Sequence, residues 1–190
     1  MLLGLIGELY FIKRTLDQGE ERIINIWNGP IRSSQDFQGK NVAVEIKTSC
    51  VNELHHVHIS SELQLDNSDR EDLFLVVYRT ERNDSAGIRI GPLVKEIADG
   101  LHPAEQRRFY ACLYCLGYKP EDEKLYEKGY IFKESRAYRV KDDFPRLLKT
   151  NLPKEISDVS YKLSLSNCEK YIVNSEVLFK CLKEQEYGEE

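Results

Sequence analysis

The sequence predicts an α/β sandwich, and three stretches carry that reading. In Val42-Ala43-Val44-Glu45-Ile46-Lys47-Thr48-Ser49 side chains alternate faces along a strand. The β-branched Val42, Val44 and Ile46 therefore share one face, while Ala43, Glu45 and Lys47 share the other. Leu73-Phe74-Leu75-Val76-Val77-Tyr78 is a continuous apolar run, the pattern of a strand covered on both faces. Leu2, Leu5, Ile6, Leu9, Ile12 and Leu16 recur at helical spacing and predict a helix over 1–16.

The remaining elements follow along the chain. Gly4 and Gly7 fall inside the first helix, where each costs about 1 kcal/mol against alanine, so either the helix starts late or it approaches a sheet closely. Ile23-Ile24-Asn25-Ile26-Trp27 is a short apolar run, with Trp27 read as a core anchor. A turn-rich segment, Asn28-Gly29-Pro30 through Ser33-Ser34-Gln35, brings a short strand near Asp36 alongside the central one. His55, His56 and His58 sit on a predicted strand, His56 and His58 on one face; no cysteine or carboxylate completes a zinc set, and ordinary exposed positions are the reading. Ser61 and Gln64 suit the N-cap and N3 positions of a helix start. Helices follow at Leu93–Leu101 and, with Pro103 in its first turn, through Phe109, Cys112, Leu113 and Leu116 to Gly117. Arg107 and Arg108 are read as surface salt-bridging residues on that helix. Tyr130–Lys141 predicts a strand or hairpin rich in basic residues, 159–165 a strand, and Val177, Leu178, Cys181 and Leu182 a closing amphipathic helix.

Composition narrows the function. With 190 residues the chain makes one domain, or one with an appendage, and 41% hydrophobic with 31% charged residues is a folded composition. The net charge of −5 does not advertise nucleic-acid binding, so any DNA contact must come from a local patch. Lys133, Arg136, Arg139 and Lys141 are the best such patch, with a solvated strand face as the competing reading. No apolar run reaches the roughly 20 residues needed to cross a bilayer, and no basic leader with a cleavage site is visible, so a cytoplasmic location and no membrane partner are expected. Five scattered cysteines fit reduced thiols, and the lone Cys112-x-x-Cys115 pair is read as helix packing.

Chemistry concentrates around the central strand. Asp36 lies nine residues before Glu45, and Glu45 and Lys47 sit side by side on one strand face. An acid, then an acid and a lysine, can hold a divalent cation beside a water molecule, and carboxylate oxygens suit Mg²⁺. Glu8 is the only charge in the first twelve residues, among Leu5, Phe11 and Ile12. An acid at the edge of a buried face needs a partner.

Asp36 and Glu45-Ile46-Lys47, with Gly4–Leu9, Trp27–Pro30, Ile59–Leu65, Leu73–Val77, Asp143–Leu147 and Tyr161–Leu165, resemble the PD-(D/E)XK nuclease superfamily over nearly the whole chain. The match is to an uncharacterised branch often encoded in bacterial restriction-type defence operons. The resemblance implies a restriction-endonuclease-like core over 1–118, with a mixed central sheet flanked by helices. A C-terminal α+β extension, its strands and helix over 119–190, would pack on the same domain. It implies Mg²⁺-dependent (or Mn²⁺-dependent) endonuclease action on DNA, with Asp36, Glu45, Lys47 and Gln64 catalytic and Glu8, Asp36 and Glu45 binding metal. Gln64 thus has two readings, helix cap or site residue, and Glu8 two, solvated edge or metal site. Other implied partners are methyltransferase or ATPase subunits and a second copy in a homodimer. Members of that branch are longer at the N-terminus, which implies a fragment or a short version here. The alternative is a catalytically weakened DNA-binding or assembly subunit, and a second rival is a zinc enzyme built on the histidine-rich strand.

Overall fold

The computed structural model of the protein describes residues 2–28, 34–50 and 55–185. The turn expected over 29–33 lies outside them. A 16-residue helix, α1 (Leu2–Asp17), leads through a 3-10 turn (Glu21–Ile26) to a short strand, β1 (Phe37–Gln38), and the central strand β2 (Val42–Cys50). Then come β3 (His56–Ile59), a 3-10 turn (Glu62–Leu65), β4 (Asp72–Arg82), α2 (Ile90–Asp99), α3 (Pro103–Cys115), β5 (Tyr130–Arg139), β6 (Tyr161–Ser164), β7 (Ile172–Val173) and α4 (Ser175–Glu184).

Five strands form one sheet in the order β1-β2-β4-β5-β7, and β3 pairs with β6 in a separate ribbon. β2 runs parallel to β4, and the other pairings of the sheet are antiparallel, so the architecture is a mixed α/β sheet flanked by helices, consistent with a restriction-endonuclease-like fold. Period-two alternation sorts the two faces. Val42, Val44, Ile46, Phe74, Val76 and Tyr78 face the helix layer, where Ile6, Leu9, Ile12, Leu93, Val94, Ile97, Phe109 and Leu178 close the main core. Ala43, Leu73, Leu75, Val77 and Tyr138 face a second core, completed by Val57 and Ile59 of β3, Leu163 of β6, and Leu165 and Phe144. The continuous apolar run of β4 is thereby explained: both its faces are covered.

Gly7 has a packing reason. A Cβ there would lie 1.8 Å from Thr48 Oγ1 and 3.4 Å from Ile46 Cγ2, so the absent side chain lets α1 lie directly on β2. Gly4 meets nothing within 4 Å, and the helix already begins at Leu2, so a late start is not the explanation.

Several local expectations change. The stretch around Ser61 is a single 3-10 turn rather than the start of a longer helix, although Ser61 Oγ does cap it by accepting from Leu63 N–H at 3.2 Å. Tyr130–Arg139 is one strand, not a hairpin, because β4 and β7 supply its two neighbours. Arg108 is no surface salt-bridging residue: it donates to the carbonyls of Ile24 and Asn25 at 3.1 and 2.9 Å, tying α3 to the 3-10 turn after α1. Residues beyond 118 are built into the molecule, since β5 belongs to the main sheet and β6 pairs with β3.

Candidate functional site

Register places the acids. Phe37 pairs with Val44 and Gln38 with Ala43, so continuing the antiparallel register brings Asp36 beside Glu45. Asp36 is fixed there by backbone: its Oδ2 accepts from Ile46 N–H at 2.7 Å. Glu45 is only 1% exposed. Its Oε1 lies 2.7 Å from Lys47 Nζ, as expected for residues two apart on one strand face. Its Oε2 is buried with no hydrogen-bond partner among the described residues. Lys47 Nζ also donates to Gln64 Oε1 at 2.9 Å.

Both readings of Gln64 describe the same side chain. Its Oε1 accepts from Ser60 N–H at 2.9 Å and Ser60 Oγ at 3.1 Å, holding the approach to the 3-10 turn, and from Lys47. That geometry is displaced by one residue from a capping box, in which the N-cap residue itself would donate. Glu8 reaches the site from the helix layer, and its Oε2 accepts from Trp27 Nε1 at 2.8 Å. Trp27 is the core anchor expected, fully buried against Phe109, and in addition orients an acid.

Electrostatics mark this cluster as unusual. Burial raises Glu45 from 4.5 to about 8, with Asp36 and Glu8 adding to the rise; Lys47 pulls it back without overcoming burial. Glu8 is pushed up to about 8 by burial and then by Asp36, against the opposing Trp27 hydrogen bond and Lys47. Asp36 is raised to about 6 by burial, which outweighs the Ile46 amide and Lys47. Acids gathered for stability would be matched by cations or donors. Here one lysine faces three of them, and one oxygen has no donor.

Hard oxygen donors and an orphaned buried carboxylate oxygen fit a Mg²⁺-like cation, which takes one or two carboxylates and fills the rest of its shell with water and substrate phosphate. Asp36 and Glu45 are the pair that fits. Among the described residues no group of three or more His, Cys, Asp or Glu is placed to hold a metal ion, so Glu8 does not complete a three-carboxylate set with them. The same finding covers the histidines of β3, where His56 and His58 are exposed on the outer face of the ribbon, and the pair Cys112 and Cys115, of which the first packs against the core and the second is exposed.

The four basic residues of the β5 region are not brought together. Arg136 pairs across the sheet with Val77, which pairs with Lys47, so it shares the site's face, but its guanidinium engages Glu134. Arg139 faces the helix layer, 6.0 Å from the Phe74 ring centre, and is paired with Asp72. Lys133 lies 2.8 Å from Glu81, and Lys141 is exposed beyond the strand.

Sequence reading missed two supports. Gln35, 2% exposed, donates from Nε2 to the Leu63 carbonyl at 2.8 Å and the Asp66 carbonyl at 3.2 Å, pinning the turn that carries Gln64 beside Asp36. Ser60 anchors Gln64 directly. The sole signal for either was adjacency, Gln35 to Asp36 and Ser60 to the turn.

No helix among the described residues is long and apolar enough to cross a membrane. No curated protein and no solved structure matches the chain. Residues 1–166 match the model of the family described as "Putative PD-(D/E)XK family member, (DUF4420)". That match spans α1, Asp36, the whole of β2 with Glu45 and Lys47, and the strands up to β6, and the chain belongs to this PD-(D/E)XK family.

Proposed function

We propose that the protein is a metal-dependent DNA endonuclease that hydrolyses phosphodiester bonds within a restriction or phage-defence system. The observation that carries the reading is the convergence of Asp36, Glu45 and Lys47 with Glu45 Oε2 buried and unpartnered. Asp36 and Glu45 would hold Mg²⁺ or Mn²⁺. When bound, such an ion neutralises phosphate charge and lowers the pKa of a water ligand. Lys47 supplies a compact positive charge next to the two acids, suited to orienting the attacking water or stabilising the developing negative charge. Gln64 fixes the lysine: with its Oε1 held by Ser60, the 2.9 Å bond leaves Nζ little freedom to turn away from Glu45. Glu8, fixed by Trp27, adds a third carboxyl, raised to about 8 by burial and Asp36, which would ionise more readily with a cation bound nearby.

The competing reading, a weakened DNA-binding or assembly subunit, draws on the chain's net charge of −5. Against it, a non-cutting domain gains nothing from keeping two acids and a lysine in a buried cluster where each ionised acid is destabilising. The test is cleavage of plasmid, linear and single-stranded DNA with Mg²⁺ or Mn²⁺ by the native chain, Lys47→Ala and Asp36→Ala. Metal-dependent cutting that falls at least about a hundredfold in both variants, on the scale of losing one transition-state charge stabiliser, supports the nuclease. DNA binding by the native chain without cutting under any metal supports the subunit.

A further inference from the structure

A track of three connected clefts leads away from Glu8. The first, of 340 Å³ and thus in the size range of small-ligand sites, has an apolar floor of Leu5, Leu116 and Leu125 beside Glu8. It shares Tyr118 and Tyr126 with a second cleft of 610 Å³, which adds Arg89, the N-cap of α2, and Lys95 within that helix. The second shares Arg89 and Glu127 with a third of 360 Å³, which adds Arg82, Lys124 and Lys128. Five cations therefore face two acids, Asp84 and Glu127, along the last two clefts, in a chain whose net charge is −5. Arg82 is neutralised by Asp84 at 2.6 Å, whereas Lys95, Lys124 and Lys128 form no ion pair among the described residues.

We propose that this track, resting on the nuclease reading, guides an unpaired DNA strand to the acid and lysine cluster. The order of its surfaces decides the substrate class. A duplex turns its phosphates outward and hides its base faces, so an apolar floor next to Glu8 offers it nothing. An unpaired strand has bases to lay on that floor, leucines standing where other single-strand binders set aromatic rings, and phosphates for the three lysines beyond it. Leu125, 57% exposed on the rim, is then a base contact rather than an idle surface leucine.

The test is binding, read in EDTA so that cleavage plays no part. Fluorescence anisotropy of a labelled oligothymidine and of a blunt duplex of equal length would be compared for the native chain, Lys124→Glu/Lys128→Glu, Leu125→Asp and the control Lys180→Glu. The native chain is expected to bind the single strand at least about tenfold tighter than the duplex, on the scale of covering one exposed leucine. The lysine double variant should weaken single-strand binding and lower its salt slope by about 1.4, about 0.7 for each phosphate no longer neutralised. Leu125→Asp should weaken it too, and Lys180→Glu, at an exposed lysine of α4 that lines none of the three clefts, should leave it nearly unchanged. Equal or tighter duplex binding, no binding of either probe, or an unchanged affinity in the lysine variant would overturn the proposal. Circular dichroism and melting of the variants, all at exposed positions, separate a weakened DNA interaction from an unfolded chain. Track binding without metal-dependent cutting would sink the nuclease reading alone; cutting that is indifferent to the lysine reversal would sink the track alone.

Discussion

Replacing Glu45 by glutamine should stabilise the metal-free protein at alkaline pH and leave it nearly unchanged at acid pH. Glu45 is 1% exposed, and burial lifts its carboxyl from 4.5 to about 8. Because the folded state holds this proton more tightly than the unfolded chain, the folded state binds more protons throughout that window. Stability therefore falls as pH rises from about 4.5 to about 8. Below the window the acid is neutral in both states and costs nothing; above it the full penalty is present. Each pH unit inside the window is worth about 1.4 kcal/mol per group, a ceiling of about 5 kcal/mol over its roughly three and a half units. Relaxation and water penetration reduce such ceilings, and about 2 kcal/mol is the working figure. For a chain of this size that is a difference in Tm of about 4–8 °C.

Glutamine keeps the shape and removes the ionisation. Differential scanning calorimetry in EDTA at steps from about pH 5 to about pH 8 would record the native chain and Glu45→Gln side by side. Subtracting one curve from the other cancels the titration of groups distant from Glu45, whereas its coupling to Asp36 and Glu8 stays in the difference as part of the Glu45 penalty. The difference should start near zero and grow with pH in favour of the variant. Adding Mg²⁺ or Mn²⁺ should then raise the native Tm most at the alkaline end, where Glu45 is ionised and able to bind it, and raise the variant less. A difference that is flat with pH, or that grows toward acid, would refute the account of Glu45 as a buried acid awaiting a cation.

Other consequences are separable. Gly7→Ala places a Cβ 1.8 Å from Thr48 Oγ1 and should cost about 1–3 kcal/mol in urea unfolding; combined with Thr48→Ala, most of that loss should return, and purely additive losses would mean that the helix crossing is not the cause. Trp27→Phe removes the 2.8 Å bond to Glu8, so beyond its packing cost it should raise the Glu8 pKa further, seen as an upward displacement of the carboxyl titration by NMR. Gln64→Ala frees Lys47 Nζ and should lower kcat of any metal-dependent cleavage about tenfold or more with KM little changed; a loss confined to KM would reassign Gln64 to binding.

What the sequence made legible follows from how far each interaction reaches along the chain. The faces of β2 are set by alternation, so the separation of Val42, Val44 and Ile46 from Glu45 and Lys47 could be read directly and agrees with the two cores. The apolar run of β4 likewise announced a strand covered on both sides. Local pattern failed where a partner distant in sequence decides the outcome. Arg108 looks like a surface cation until the carbonyls of Ile24 and Asn25, more than eighty positions away, are brought beneath it. The four basic residues from Lys133 to Lys141 look like one patch in sequence. Alternation along β5 sends Arg136 and Arg139 to opposite faces, and acids on β4 and β5 itself take up three of the four charges. The basic lining of the proposed track is assembled from the end of β4, α2 with its N-cap and the segment before β5, three places with no common motif. Glu8 shows the same division. Its setting among Leu5, Phe11 and Ile12 signalled a buried acid needing a partner, but that the partner would be an indole N–H, leaving its charge uncancelled beside Asp36, depends on the path between α1 and Trp27. An acid held by a neutral donor keeps its pull on a cation, whereas one neutralised by arginine would lose it. The tertiary choice of Trp27 is thus what turns a legible buried acid into part of a functional field.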